Sequence, residues 1–338
     1  MRLILCFVMM VFFACDDGGN VDFMSSEITS VDYGVGAPCG GSVMNYNGSI
    51  YRTYSGGVAP IDNNNLQFLV EEKLGDYSNS GDIYHAEVIN GNLWFSVVTY
   101  DGLNDFIKVV NSEGQEINSY EVGLYPGDFV SWNSSHVFVA NEGAYGASNG
   151  SISMITQMGQ IITYQNIGDV VQSVEVYNDK LIVIINNDHK IKIFDINSEG
   201  LQLPGIEVNT GSSSPREMVI VDGKIYFTNW DTKDIKVLNL FTYQIENSVS
   251  VSGLPEDIIT DGQNLYVSIP NIEKYDQNLG SEIIKLDIGT LNVQDVYDVG
   301  LGPEYLAFND NGNLYISRKT YSEDWYITYY GTSKITTP

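Results

Sequence analysis

The chain has 338 residues, of which 43% are hydrophobic and 12% aromatic, and its 43 acidic against 16 basic side chains give a net charge of −27. The apolar share is ample for a packed core. A phosphate-rich partner needs local clusters of Lys and Arg that this sequence does not offer, which excludes nucleic acid and a direct electrostatic grip on anionic lipid.

The first element is an apolar run, Leu3 to Phe13, that follows Met1-Arg2 and contains Cys6. At about a dozen residues it is too short to span a bilayer, which takes about 20. It ends in Phe13-Ala14-Cys15, followed by Asp16-Asp17-Gly18-Gly19-Asn20. A small residue before a cysteine at the end of such a run resembles a bacterial lipoprotein lipobox, although Phe12 and Phe13 stand where smaller or aliphatic residues are commoner. The resemblance implies a signal peptide over 1–14, cleavage before Cys15, and acylation of the Cys15 thiol and new amino terminus. Residues 15–26 then read as a lipidated cysteine and its tether. With Cys15 acylated, Cys39 has no partner for an intramolecular disulfide and reads as a small buried residue near a channel.

From residue 27 onward the chain repeats. Gly34, Gly75, Gly123, Gly168, Gly211, Gly253 and Gly300 close seven β-rich stretches at intervals of 41, 48, 45, 43, 42 and 47 residues. A period near 40 to 50 made of short strands marks a propeller blade. Within it, apolar runs alternate with Asn-Gly, Asp-Gly and Asn-Asp turns suited to tight hairpins, and sustained helical periodicity is absent. The expectation is an all-β, seven-bladed β-propeller over 27–338, with blades at 36–75, 76–123, 124–168, 169–211, 212–253, 254–300 and 301–338. The last stretch is one strand short. Residues 27–34, SEITSVDYG in context, match VQDVYDVG before Gly300 and are expected to close the last blade as its outermost strand, removing free edges.

A proline near the start of a blade followed by a Tyr-Val-Ser-like strand resembles the YVTN-type (YncE-like) propeller repeats. The carriers are Pro303 with Leu314-Tyr315-Ile316-Ser317 and Pro255 with Leu265-Tyr266-Val267-Ser268. Pro215 with Ile225-Tyr226-Phe227-Thr228-Asn229 and Pro126 with Val137-Phe138-Val139-Ala140-Asn141 also fit. Blades two and four lack the proline. The resemblance speaks to fold and not to function, because propellers host enzymes and binders alike.

Antiparallel blades put the blade-to-blade loops and the second-to-third-strand loops on one face. That face collects the long stretches 140–150, 269–281 and 317–331, which makes it the expected binding face. Two constellations lie there. Aligning the innermost strands places His85, Asp128, Ser173, Glu217, Asp257 and Tyr305 at equivalent positions around the channel, with Arg216, Glu256 and Glu304 one residue earlier. Converging carboxylates suit a cation or a basic ligand; equally, each could accept backbone amides where the chain turns inward. The second constellation is aromatic: Tyr100, Tyr145, Trp230, Tyr275, Tyr321, Trp325, Tyr326, Tyr329 and Tyr330, flat bodies with polar tips suited to planar or saccharide ligands. Part of this set is expected to pack within the last blade.

Catalytic signals are poor. There are three histidines; His136 falls in a hairpin turn on the opposite face, and His189 is placed to approach His85 across the top. No H-E-x-x-H, G-x-S-x-G or phosphate-binding glycine loop occurs. The sequence reads as a binder, with a lyase or a metal-dependent lactonase through His85, Glu217 and Asp257 as the enzymatic alternative. Asp16-Asp17 directly after the lipobox cysteine resembles the export signals of Bacteroidota surface lipoproteins, which implies an outer-membrane, cell-surface address. Propeller lipoproteins of that group include ones that capture cobalamin and pass it to a TonB-dependent transporter. This resemblance makes cobalamin or another nutrient the candidate ligand, with an adhesive or glycan-binding role as its competitor.

Overall fold

The computed structural model describes residues 26–36, 41–54, 56–75, 81–100, 102–103, 105–274, 277–324 and 327–336. Cys15, Cys39, Tyr275, Trp325 and Tyr326 lie outside the described residues. Seven antiparallel sheets stand around one axis as a seven-bladed β-propeller. Blades two to six are complete four-stranded meanders. Blade two, for example, runs Asp82–Ile89, Asn92–Val98, Asp105–Val110 and Glu116–Val122 from the axis outward. The innermost strands of blades three to six are Pro126–Trp132, Val171–Tyr177, Pro215–Val221 and Ile258–Thr260.

The last blade closes as the sequence implies. Pro303–Phe308, Leu314–Tyr321 and Thr328–Thr336 are completed by Glu27–Gly36, which pairs antiparallel with the C-terminal strand from Glu27↔Thr336 to Gly36↔Thr328. Ser30 Oγ donates to Val299 O at 3.1 Å and lies 2.8 Å from Ser333 Oγ, fixing the added strand to its neighbours.

Blade one departs from the expected four strands. It has three, Val43–Tyr46, Ser49–Tyr54 and Gly57–Ile61. Where the fourth should run, Asp62 Oδ1 accepts the amides of Asn64 and Asn65 at 2.8 and 3.1 Å, winding the chain into an Asx-type turn. A single 3₁₀ turn follows at Val70–Glu72, and only isolated bridges, Ile61↔Phe68 and Val58↔Leu74, tie this segment to the sheet. Consecutive polar residues at Asp62 to Asn65 favour local side-chain bonds over a ladder.

Core packing lies between blades. Phe138, Ile152 and Met154 of blade three meet Val171, Val183 and Phe194 of blade four, all buried. Tyr315 of blade seven packs on Ile50, Ile61 and Leu66 of blade one. Each blade thus buries its faces on its neighbours, which is why the repeat must close into a ring. The regular glycines serve two physical needs. Gly300 sits at φ 90°, a left-handed conformation that other residues adopt at a cost, whereas a Cβ on Gly123 would lie 2.6 Å from Ser151 Oγ.

Candidate functional site

The functional geometry begins with a backbone irregularity. At the start of the innermost strand, pairing to the second strand slips between Ile83 and Ala86, Val171 and Ser173, Pro215 and Met218, and Pro303 and Leu306. A regular strand sends successive side chains to opposite faces; a bulge turns two in succession the same way. Two tiers result. Tyr84, Gln172, Arg216, Glu256 and Glu304 line clefts on the long-loop face, while the next residues, His85, Ser173, Glu217, Asp257 and Tyr305, line the axial cavity together with Asp128.

The amide freed by the slip is held by a hydroxyl of the second strand. His85 N donates to Ser96 Oγ at 2.8 Å, Glu217 N to Thr228 Oγ1 at 3.0 Å, Asp257 N to Ser268 Oγ at 3.0 Å, and Tyr305 N to Ser317 Oγ at 3.1 Å. Two of these hydroxyls donate onward to the next blade, Thr228 to Glu256 O at 2.8 Å and Ser268 to Glu304 O at 2.7 Å. The hydroxyl in the Tyr-Val-Ser-like strand therefore has a mechanical role: it fixes the inward turn of the site residues.

The axial cavity, about 420 Å³, brings together all six residues aligned from the sequence. Asp128 and Asp257 act as blade-to-blade clasps. Asp128 accepts Phe129 N and Val174 N at 2.8 Å each; Asp257 accepts Ile258 N at 2.8 Å and Leu306 N at 2.7 Å. Both carboxylates thus make the backbone-amide contacts that the sequence left as one of two readings, with one amide on each oxygen. The Glu217 carboxylate has no hydrogen bond among the described residues. Burial pushes its pKa well up, with Asp128 and Asp257 adding repulsion. Burial also raises Asp257 to about 7 against the pull of its two amides, and Glu175 to about 8. The sequence alignment missed Ser42, the equivalent residue of blade one, and Glu87 and Glu175, which line the same cavity two residues further along their strands. The period-2 rule applied to His85 and Ser173 would have found the last two.

On the long-loop face, two clefts flank the channel mouth. One, about 230 Å³, is bounded by Trp230, Leu254, Pro270, Lys274, Lys319 and Tyr321; the other, about 240 Å³, by Tyr84, Glu142, Tyr145, Gln172, Asn186 and Asn187. Arg216, Trp230 and Lys274 belong to both. Arg216 is clamped by Glu256 through Nε–Oε2 at 3.2 Å and Nη2–Oε1 at 2.5 Å, and donates to Gln172 Oε1 at 2.7 Å. Its guanidinium lies 4.4 Å from the Trp230 ring centroid, and Lys274 Nζ lies at 5.8 Å. The Trp230 Nε1–H is shielded from solvent and has no acceptor among the described residues. Tyr145 is 75% exposed at the rim. Burial raises Glu142 to about 7, opposed by the nearby Arg216.

Of the aromatic set, Trp230, Tyr145 and Tyr321 thus meet on the expected face. Tyr330 packs instead on Tyr33 and Phe68 between blades seven and one, at centroid distances of 5.3 and 6.3 Å. His189 does not reach across the top: its Nδ1 accepts Ser214 N at 3.0 Å, because the turn after Asp188 places the ring against blade five. His136 opens the second strand of blade three, with Nδ1 2.8 Å from Ser135 Oγ.

No family model matches the chain, and no curated protein matches it. Solved structures do. A chain of the hydrazine synthase of Kuenenia stuttgartiensis superposes with a TM-score of 0.65 at 14% identity, over 87% of this chain and 95% of that one. A chain of a mitotic checkpoint complex gives the same TM-score at 13% identity, over 97% of this chain and 99% of its own. At such identities the likeness is one of fold alone, and the class it defines is the seven-bladed β-propeller, a fold that hosts enzymes and binders alike.

Proposed function

We propose that this protein is a lipid-anchored, cell-surface propeller that captures a soluble ligand on its long-loop face. The observation that carries the reading is the pair of clefts that share Arg216, Trp230 and Lys274, with the guanidinium and the ammonium both over the indole ring. Apolar walls from Leu254, Pro270 and Tyr321 beside the amides of Gln172, Asn186 and Asn187 suit a ligand with one apolar and one hydrogen-bonding side. The lipobox-like Phe13-Ala14-Cys15 supports the anchor, and the resemblance to nutrient-capturing surface lipoproteins makes a corrinoid delivered to a TonB-dependent transporter the first compound to test. The protein is read as a binder and not an enzyme.

Calorimetric titration of the purified chain with cobalamin, a siderophore and oligosaccharides tests this. Tyr145→Ala and Trp230→Ala are expected to weaken binding about ten-fold or more, in line with the 1–3 kcal/mol that a good aromatic contact supplies. Ser134→Ala and Asn178→Ala, in turns of the opposite face, should bind as the parent does. Loss of affinity in the turn variants with full affinity in the aromatic ones places the site on the other face and ends the proposal.

A further inference from the structure

Inside the channel, away from both clefts, one group of side chains has the make-up of a metal centre. Ligand atoms of His85, Glu87 and Asp128 all lie within 4.8 Å of one another, and His85 Nε2 is 3.6 Å from Asp128 Oδ1. We propose that these three residues bind a divalent transition-metal cation, Zn²⁺ foremost, that ties blade two to blade three at the propeller axis.

Four observations support the assignment. First, His85 Nε2 is shielded from solvent and has no hydrogen-bond partner among the described residues, yet it faces the two carboxylates. Second, the ring is held for the task. Its Nδ1 lies 3.2 Å from Ser42 Oγ, which also accepts Ala86 N at 3.2 Å, and its edge packs on Phe129 at a centroid distance of 5.0 Å. A ligating histidine characteristically has its other nitrogen fixed in this way. Third, Asp128 is oriented by one amide on each oxygen, Phe129 N on Oδ1 and Val174 N on Oδ2. A carboxylate oxygen has two lone-pair sites, so Oδ1 keeps one for a cation. Fourth, Glu87, Asp128, Glu175, Glu217 and Asp257 share a cavity that no Lys or Arg lines among the described residues. Arg216 stands one tier above and is spent on Glu256 and Gln172.

The spacing fits the ion. Zinc bonds to nitrogen and oxygen are about 2.0–2.2 Å, which sets tetrahedral ligand separations near 3.4 Å. The His85–Asp128 distance is already within a few tenths of that, and rotation about the Glu87 side chain brings its carboxylate in. One imidazole with two carboxylates favours zinc or another first-row ion over the all-oxygen ions Ca²⁺ and Mg²⁺. Three protein ligands leave a coordination position open toward the cavity that Glu175 and Glu217 also line.

The test uses the full chain, purified without chelator and again after stripping. Elemental analysis is expected to give one equivalent of zinc, and readdition to stripped protein should raise the melting temperature where Mg²⁺ does not. Cobalt(II) added to stripped protein should give a visible absorption band that one equivalent of zinc abolishes. His85→Gln should lose the band and the stoichiometric metal, Glu87→Gln should weaken zinc at least ten-fold, and His136→Gln should change neither. If His85→Gln fails to fold, Glu87→Gln and the cobalt spectrum of the parent chain decide. Zinc retained at full stoichiometry in His85→Gln, zinc affinity unchanged in Glu87→Gln, or no cobalt band in the parent chain, overturns the proposal.

Discussion

Closure of the ring should depend on Arg52, a side chain 1% exposed in the middle strand of blade one. It reaches into blade seven, where Nη1 donates to Gly331 O and, at 3.3 Å, to Thr332 Oγ1, and Nη2 donates to Arg318 O at 3.0 Å. Arg318 in turn grips the closing strand through Asp32 Oδ1 at 2.6 Å and Val31 O at 3.1 Å. Arg52→Met keeps most of the volume and removes all three donations. Leaving an acceptor unpaired costs about 1–3 kcal/mol, and the two carbonyls also belong to a ladder, so the lower end applies to each. Removing a buried cation returns part of its desolvation penalty, since burial is the largest influence on this guanidinium and brings it down to about 10 against the opposing pull of Tyr33, Glu304 and Tyr330. The balance is a loss of about 2–4 kcal/mol, felt first by the strand Glu27–Gly36. Amide hydrogen exchange in that strand should therefore accelerate about 30- to 700-fold, with a smaller change in blade four. Deleting residues 16–34 is the limiting case and should expose two sheet edges and cause aggregation. Exchange in Glu27–Gly36 unchanged by Arg52→Met would mean that the ladder alone holds the ring and that the guanidinium adds nothing.

Two further outcomes follow from the sequence and the site. Cys15→Ser should move the protein from the membrane fraction to the soluble one and abolish labelling by a palmitate analogue; persistent labelling would put the anchor elsewhere. In metal-stripped protein, Asp257 raised from its ordinary 3.8 to about 7, and Glu142 raised to about 7, mean that the folded state holds protons that the unfolded chain has released. Their contribution is complete below about pH 4 and is lost as pH rises through 7, at up to about 1.4 kcal/mol per pH unit and group, so urea stability should fall between pH 4 and 8 and the slope should flatten in Asp257→Asn.

The fold was legible because a propeller repeats its evidence. Seven glycines, paired turns and one leftover strand each point to the same ring, and the strand register confirms the closure at Glu27–Gly36. The aligned tier from His85 to Tyr305 was legible for the same reason: equivalent positions in a closed ring must converge on its axis. Blade one was misread because its polar stretch Asp62 to Asn65 satisfies its own backbone locally, a competition that repeat spacing does not register. Contacts across the ring were also out of reach. Arg52 meets Gly331 across 279 positions, and Arg216 meets Gln172 and Glu256 from blades on either side. No periodicity encodes such pairs, so Trp230 could be read as an open platform when in fact two cations already attend it.

The recurring bulge explains why both candidate sites sit where they do. A regular innermost strand would offer the axis one residue in two and give the long-loop face little beyond its loops. The slip at the strand start turns two consecutive residues inward, and a Ser or Thr of the second strand holds the freed amide so that the turn is stiff. One position then lines the clefts above and the next lines the channel below. Arg216 and Glu217 show the consequence: neighbours in sequence, one is paired with Glu256 at the mouth, and the other turns into the cavity a carboxylate that has no hydrogen bond among the described residues. Chemistry at the mouth and chemistry in the channel can therefore change independently by single substitutions. A ligand face and a metal centre can occupy one small propeller without sharing a side chain.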